Sequence, residues 1–299
     1  MNLERISLFD DAKMIVELHK GLSTDKKYQV DEKFLVRVFP FEDVDKRRKE
    51  FEVVKELSRL SEYVPEAVKF EVVKKENLAY MVLGFLPGKD GEEALVNESE
   101  RQQYLIGFKA GQELKKLHKL QAPDGYESWY SLKKRKSDKY LDELHNVSGV
   151  DMAVVEILET YIRENEHLMS GRPNRFQHDD FHPNNLIVQN GEFAGFIDFQ
   201  RMDWGDPIHD LQKLGFFAIK VSVPFSIGAI DGYHDGNEVP SEFWRLFSLY
   251  SAMHAVSGIV WGKKMGDKQF NLLLKYALDV LKDHDDFKEM IPIWYKREF

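Results

Sequence analysis

The chain has 299 residues, 43% of them hydrophobic, with 42 Lys and Arg against 51 Asp and Glu. Such a length supports one or two domains with sizeable cores, and the net charge of −9 argues against a nucleic-acid partner while suiting a cationic ligand or a divalent cation. Cysteine is absent, which excludes disulfides, thiol nucleophiles and thiolate metal sites. Met1 to Arg5 opens no apolar stretch of the secretory kind, and no run approaches the ~18 apolar residues of a membrane span. The expectation is a soluble cytoplasmic protein that binds no nucleic acid and no membrane.

Residues 8 to 20 are amphipathic and fit either a short helix or a strand. Gly21-Leu22-Ser23-Thr24-Asp25 then interrupts the pattern. Lys27 to Val30 and Lys33 to Phe39 read as strands joined at Asp31-Glu32. Alternation puts Phe34, Val36 and Val38 on one face and Leu35, Arg37 and Phe39 on the other. Arg37 is a lone charge in an apolar strand. Burying it unpaired would cost several kcal/mol, so it should meet an anion. A helix is expected over 45–61, with Glu50, Val53, Val54, Leu57 and Leu60 on one face. Glu50, on that apolar stripe, also needs a partner.

Val64-Pro65 ends the helix. Two more strands are expected over 68–73 and 78–83, turning near Lys75-Glu76-Asn77, and Gly84-Phe85-Leu86-Pro87-Gly88 closes the second with breakers. The remainder reads as mainly helical: 101–120, 154–169, then about 211–221, 241–261 and 270–282. His118, ending the first of these, reads as a hydrogen-bonded core histidine. The basic run Lys133-Lys134-Arg135-Lys136 reads as a solvated loop or helix start, too short and isolated to argue for nucleic acid. Tyr233, His234, Trp244, Tyr250, Trp261, Asp279, Asp283, Asp285 and Asp286 could line a pocket for a cationic ligand, although aromatics at helical spacing are more often core and acid runs of this kind are usually solvated.

The most informative stretch runs from Phe176 through His178-Asp179-Asp180-Phe181-His182-Pro183-Asn184-Asn185 to Phe196-Ile197-Asp198-Phe199. Asp180 and Asn185 stand at the two ends of a tight loop. Leu186-Ile187-Val188 and Phe193 to Ile197 read as a hairpin turning at Gln189-Asn190-Gly191, because Asn-Gly is a strong hairpin signal. The hairpin would return Asp198 towards Asp180. Phosphoryl transfer from a nucleoside triphosphate needs these parts: a carboxylate for the proton of the attacking hydroxyl, which suits Asp180, and an amide oxygen with a second carboxylate for Mg²⁺, which suits Asn185 and Asp198. A zinc site on His178, Asp180 and His182 is the competing reading, but it leaves Asn185 and Asp198 unexplained.

This segment resembles the catalytic segment of the aminoglycoside phosphotransferase and choline kinase family, within the protein-kinase-like fold. Family members usually read His-Gly-Asp where this chain has His178-Asp179-Asp180. Gly205-Asp206-Pro207-Ile208-His209-Asp210 matches the family's Gly-Asp-Pro-x-x-Asp, and Asp206 and Asp210 read as braces of the catalytic loop at a helix N-terminus. The resemblance implies an α+β, two-lobed fold: a five-stranded antiparallel N-lobe over 1–86 and a mostly helical C-lobe over 87–299. It implies that Gly21 and Ser23 lie in the loop covering the nucleotide. It makes Arg37 the cation on the α/β-phosphates, usually Lys but Arg in some choline-kinase-like relatives, and makes Glu50 its partner. By the same resemblance Leu83 is the gatekeeper, and Gly84 to Leu86 the hinge that meets the base.

The activity so implied is transfer of the γ-phosphoryl group of ATP or GTP, with Mg²⁺, to a hydroxyl of a small acceptor. That acceptor would be an aminoglycoside or, alternatively, choline, homoserine or methylthioribose. A protein kinase fits less well, because no Ala-Pro-Glu-like segment follows Asp198. An inactive nucleotide-binding scaffold is the competing class, and the intact Asp180, Asn185 and Asp198 argue against it.

Overall fold

The computed structural model describes residues 9, 11–19 and 25–296. Gly21 and Ser23 lie outside the described residues.

The first part of the chain is an antiparallel sheet with one main helix. Strands β1 (Ile15–Leu18), β2 (Lys26–Val30), β3 (Phe34–Pro40), β4 (Ala67–Val73) and β5 (Leu78–Gly84) form five strands in the order β1-β2-β3-β5-β4. Helix α1 (Val44–Leu57) separates β3 from β4. Within the amphipathic opening stretch, Ile15–Leu18 is a strand, and it pairs Ile15 with Val30. The turn after β2 places Asp31 and Glu32 in the left-handed region, at φ of 51° and 54°.

The alternation along β3 divides the sheet's two faces. Val36 and Val38 pack with Phe9, Val30, Tyr80 and Val82 on one side. Phe39, Met81 and Leu83 face the other, where Phe51, Val54 and Leu57 of α1 cover them. This second side is continuous with the main hydrophobic core of the molecule.

The chain then becomes mostly helical. A short strand β6 (Lys89–Asp90) leads to α2 (Gly91–Leu95), α3 (Glu100–Leu117), α4 (Trp129–Leu144) and α5 (Met152–Asn165). Strands β7 (Arg175–Gln177), β8 (Leu186–Gln189), β9 (Glu192–Phe196) and β10 (Asp203–Gly205) frame the loop of interest. Helices α6 (Ile208–Phe216), α7 (Val223–Tyr233), α8 (Ser241–Lys264) and α9 (Asp267–Asp283) complete the chain. Most of α8 is buried, as expected of a helix that is apolar around most of its surface.

Helices α3 and α7 meet backbone to backbone. A Cβ on Gly107 would lie 2.1 Å from the Phe225 carbonyl oxygen, and one on Gly232 would lie 1.8 Å from that of Phe108. Only glycine permits this approach.

Two expectations need correction. The run Lys133-Lys134-Arg135-Lys136 lies inside α4, whose Trp129, Ser137, Leu141 and Leu144 are buried. The run is thus part of an amphipathic helix with a packed face, which its unbroken charge concealed. The helix expected over 211–221 ends early, at Phe216, and is followed by a 3-10 turn over Ala218–Lys220 and by a further helix, α7, that the sequence reading did not include. α6 starts earlier, straight after Pro207, and α7 restarts at Ser222, whose side chain accepts the N–H of Phe225, with Pro224 in the first turn.

Candidate active site

The β8–β9 hairpin turns through Asn190 and Gly191, at φ of 53° and 75°, and so returns the chain to the loop that precedes it. The return is fixed by backbone bonds. Ile197 N–H donates to the Asn185 carbonyl at 2.9 Å, and the Ile197 carbonyl accepts from His178 Nε2 at 2.9 Å. Asp198, the next residue, is thereby held beside Asn185. The backbone of Asp198 is left-handed, at φ 61°. Its carboxylate is exposed and has no hydrogen bond or ion pair among the described residues.

Asn185 is buried and sits across the loop from Asp180. Its Nδ2 donates to the Asp180 carbonyl at 2.8 Å and to Asp180 Oδ2 at 3.0 Å. This turns the amide so that Oδ1 is left without a protein donor. An oxygen so placed, next to an unpaired carboxylate, fits a hard cation such as Mg²⁺, which takes few protein ligands and completes its shell with water and phosphate. Among the described residues, no three His, Cys, Asp or Glu side chains are gathered around a common metal position. The His178 ring is committed to the Ile197 carbonyl.

The loop itself is braced from α6. Asp210 accepts the N–H groups of His178 and Asp179, each at 2.6 Å, and His118 Nε2 at 3.0 Å. His118 in turn takes the hydroxyl of Tyr233 at 2.8 Å. Asp206 is held by Arg172 at 2.7 and 3.0 Å and by the Tyr250 hydroxyl at 2.8 Å. Asp179 has φ 55°, a conformation glycine adopts freely and Asp tolerates better than most residues. The backbone thus accounts for the Gly that resembling proteins carry here.

Asp180 is mostly buried, and its Oδ1 lies 2.7 Å from Lys213 Nζ and 3.5 Å from His182 Nε2. Burial alone would raise its carboxyl. The hydrogen bond from His182 and the charge of Lys213 outweigh that and hold it far below the usual carboxylate range. It is therefore an ionised carboxylate, able to accept hydrogen bonds.

On the sheet side, Arg37 is 3% exposed. Its Nη1 bonds Glu50 Oε1 at 2.5 Å and its Nη2 bonds Asp25 Oδ2 at 2.6 Å. Arg47 closes the group, bonding Asp25 at 2.7 Å and Glu50 at 3.2 Å. The pairing of Arg37 with Glu50 was legible in the sequence. Asp25 and Arg47 were not, although Arg47 stands three, four and seven residues before Glu50, Phe51 and Val54 on the buried face of α1, a spacing that could have pointed to it. At the end of β5, Leu83 is buried and Gly84 N–H is taken by the Glu66 carbonyl at 2.8 Å. Leu86 is half-buried, and its N–H makes no hydrogen bond among the described residues.

The sequence missed a second cluster beside Asp180. Lys133 of α4 brings Nζ to within 2.5 Å of His209 Nε2. The ring edge of His209 meets Trp129 and Tyr250. Burial, with the neighbouring charge of Lys136, pushes the Lys133 ammonium down to about 7. Burial and then Lys133 push His209 well below its ordinary value, and burial and then Lys213 do the same to His254. The signal for Lys133 was its place four residues after Trp129 and before Ser137 on the packed face of α4. For Lys213, it was the same spacing after His209.

Several aromatic candidates for a cationic pocket are core. Tyr233, Trp244 and Tyr250 are spent on packing and internal hydrogen bonds. Asp279 is paired with Lys220 at 2.6 Å.

The family model for the phosphotransferase enzyme family, APH, matches residues 15–244. No curated protein matches the chain. Among solved structures, the chain resembles that of the gentamicin–APH(2")-IIa complex, with a TM-score of 0.65 and 18% identity over 96% of this chain and 97% of that one. It also resembles the GDP complex of wild-type aminoglycoside 2'-phosphotransferase-IIIa, with a TM-score of 0.69 and 14% identity over 94% of this chain and 96% of that one. A third likeness is the ternary complex of a thermostable APH(4)-Ia mutant with ADP and hygromycin B, with a TM-score of 0.66 and 14% identity over 94% and 98%. These likenesses carry the fold, and the match to the family model covers most of the chain: it belongs to the APH phosphotransferase enzyme family and has that family's kinase-like fold.

Proposed function

We propose that the protein is a small-molecule kinase that transfers the γ-phosphoryl group of ATP or GTP to a hydroxyl of a small acceptor. The observation that carries this reading is the convergence of Asp180, Asn185 and Asp198 at the end of the β8–β9 hairpin. The acceptor oxygen forms a bond to the γ-phosphorus as the bond to the bridging oxygen breaks. The nucleoside diphosphate leaves with that electron pair, and the hydroxyl proton passes to Asp180. Asn185 Oδ1 and the Asp198 carboxylate would hold Mg²⁺, which neutralises phosphate charge when bound.

The rest of the nucleotide site follows from the same reading. Arg37 touches the α/β-phosphates while Glu50 and Asp25 hold it. Leu83 borders the base, and the peptide edge from Gly84 to Leu86 receives it, with the Leu86 N–H as donor. This puts the boundary between the lobes at residues 86 and 87.

The test is ADP or GDP release with Mg²⁺ across a panel of aminoglycosides, choline, homoserine, methylthioribose and hydroxy acids. Acceptor-dependent release supports a kinase. A chain that binds no Mg²⁺-nucleotide at all would contradict it.

A further inference from the structure

A cavity of 410 Å³ opens beside the catalytic loop, lined by Trp129, Lys133 and Lys136 of α4, Trp204 of β10, His209 of α6 and Asp179 itself. Asp179, in its wall, immediately precedes Asp180 in the chain, so the cavity borders the catalytic loop on the side of α4.

Of the cations that line it, Arg135 and Lys139 are paired with Glu127 and Glu143, whereas Lys133 and Lys136 meet no carboxylate among the described residues. Lys133 Nζ takes a ring nitrogen of His209 as its hydrogen-bond partner and stands 5.5 Å over the Trp129 ring, with no carboxylate in ion-pair range among the described residues. Lys136 has no hydrogen bond or ion pair among the described residues. Of the two acids in the wall, Asp203 is occupied by the Tyr126 hydroxyl at 2.8 Å and the Trp204 N–H at 2.8 Å. Asp179 lies 3.5 Å from His209 Nδ1, an atom left without a hydrogen bond. The Lys133 ammonium, over the Trp129 ring and without a carboxylate, is costly to keep charged unless an anion joins it, and the exposed Lys136 lines the same cavity.

We propose that this cavity holds the acceptor, and that the acceptor is an anion: a hydroxyl compound bearing a carboxylate or a phosphate, gripped by Lys133 and Lys136. This rests on the kinase reading above and replaces the cationic acceptor that net charge suggested. Two of the three Lys133 N–H donors remain after the bond to His209, enough for one anionic oxygen pair. Asp179, whose carboxyl is pushed up by burial against the pull of Lys213, is placed to accept from a further acceptor hydroxyl. A polycation would meet Lys133 and Lys136 as like charges.

The test is calorimetric and thermal-shift titration of the full chain with four probes. Glycerate is the carboxylate arm and glycerol 3-phosphate the phosphate arm. Glycerol is the neutral control and kanamycin the cationic one. One or both anions bind and stabilise the wild type, and the arm that binds more tightly identifies the anionic group. Charge-assisted hydrogen bonds of this kind correspond to a weakening of about 10- to 100-fold in Lys133→Met. The exposed Lys136→Gln, which leaves the core untouched, weakens the same anion, while Mg²⁺-nucleotide affinity stays unchanged in both variants. The proposal is overturned if neither anion binds at about 10 mM, above the millimolar range of weak specific binding. It is equally overturned if anion binding is the same in both variants, or if kanamycin binds and the anions do not. Absent nucleotide binding with anion binding intact would instead defeat the kinase reading and leave the cavity assignment standing.

Discussion

Lys213 Nζ lies 2.7 Å from Asp180 Oδ1, and both groups are largely shielded from water. The two reach each other from different elements. Asp180 comes from the loop after β7, and Lys213 stands on α6, three residues after the Asp210 that ties down the same loop. One helix therefore fixes the backbone of the loop and orients its carboxylate.

Lys213 is a positioning residue in this account. Lys213→Met should lower kcat by about 10- to 100-fold, the range of a charge-assisted hydrogen bond, and leave nucleotide affinity unchanged. Lys213→Arg should restore part of the loss. Steady-state kinetics beside a nucleotide titration separate this from a general loss of structure, which would move both quantities and would not be rescued by Arg.

Asp198→Asn should weaken Mg²⁺-nucleotide binding and spare the fold, since Asn adopts the left-handed backbone as readily as Asp. A titration of nucleotide at several Mg²⁺ concentrations checks this. An affinity equal to wild type would remove Asp198 from the metal site.

The buried group of Arg37, Glu50, Asp25 and Arg47 gives a stability prediction. Removing one partner strands charge in the interior, at a cost of about 3–5 kcal/mol. Glu50→Gln should therefore depress Tm clearly and weaken nucleotide binding as well, because Arg37 loses its anchor. A Tm at the wild-type value would mean that the group is open to water in solution.

Lys133 supplies the pH dependence. Its ammonium is pushed down to about 7 from an ordinary 10.5, so its charge costs stability in the folded state. That cost is fully present below about pH 7 and fades as pH rises towards the ordinary lysine value. Lys133→Met should therefore raise Tm at about pH 6 and raise it less at about pH 9. Thermal unfolding at both pH values reads the difference. An equal effect at both would contradict the burial of that ammonium.

Gly232 tests the α3–α7 contact. A Cβ there would stand 1.8 Å from the Phe108 carbonyl oxygen, so Gly232→Ala should separate the helices and cost about 1–3 kcal/mol or more. Thermal unfolding should show a drop of several degrees, and an unchanged Tm would mean that the helices slide without loss.

The parts of this molecule that were legible in the sequence are those set by short-range rules. Alternation along Phe34–Phe39 gave the two faces of the sheet, and Asn190-Gly191 gave the hairpin that carries Asp198. A charge on an apolar stripe showed that Arg37 and Glu50 each need a partner, and the family resemblance implied that they pair with each other. What escaped depends on contacts between distant segments. Lys213 meets Asp180 only because α6 folds back under the loop. Lys133 lay inside a basic run that looked like solvated surface, and only the packing of Trp129 and Leu141 turns one of those lysines inward. The start of α7 depends on Ser222, whose hydroxyl caps the helix by accepting the N–H of Phe225.

The most direct test of the central claim is Asp180→Asn, measured for turnover and for nucleotide affinity in the same preparation. If Asp180 receives the acceptor's proton, kcat falls by about 10²–10⁴-fold, as for other lost general bases, and Mg²⁺-nucleotide binding stays at the wild-type value. Turnover close to wild type would contradict the assignment of this loop as the phosphoryl-transfer site.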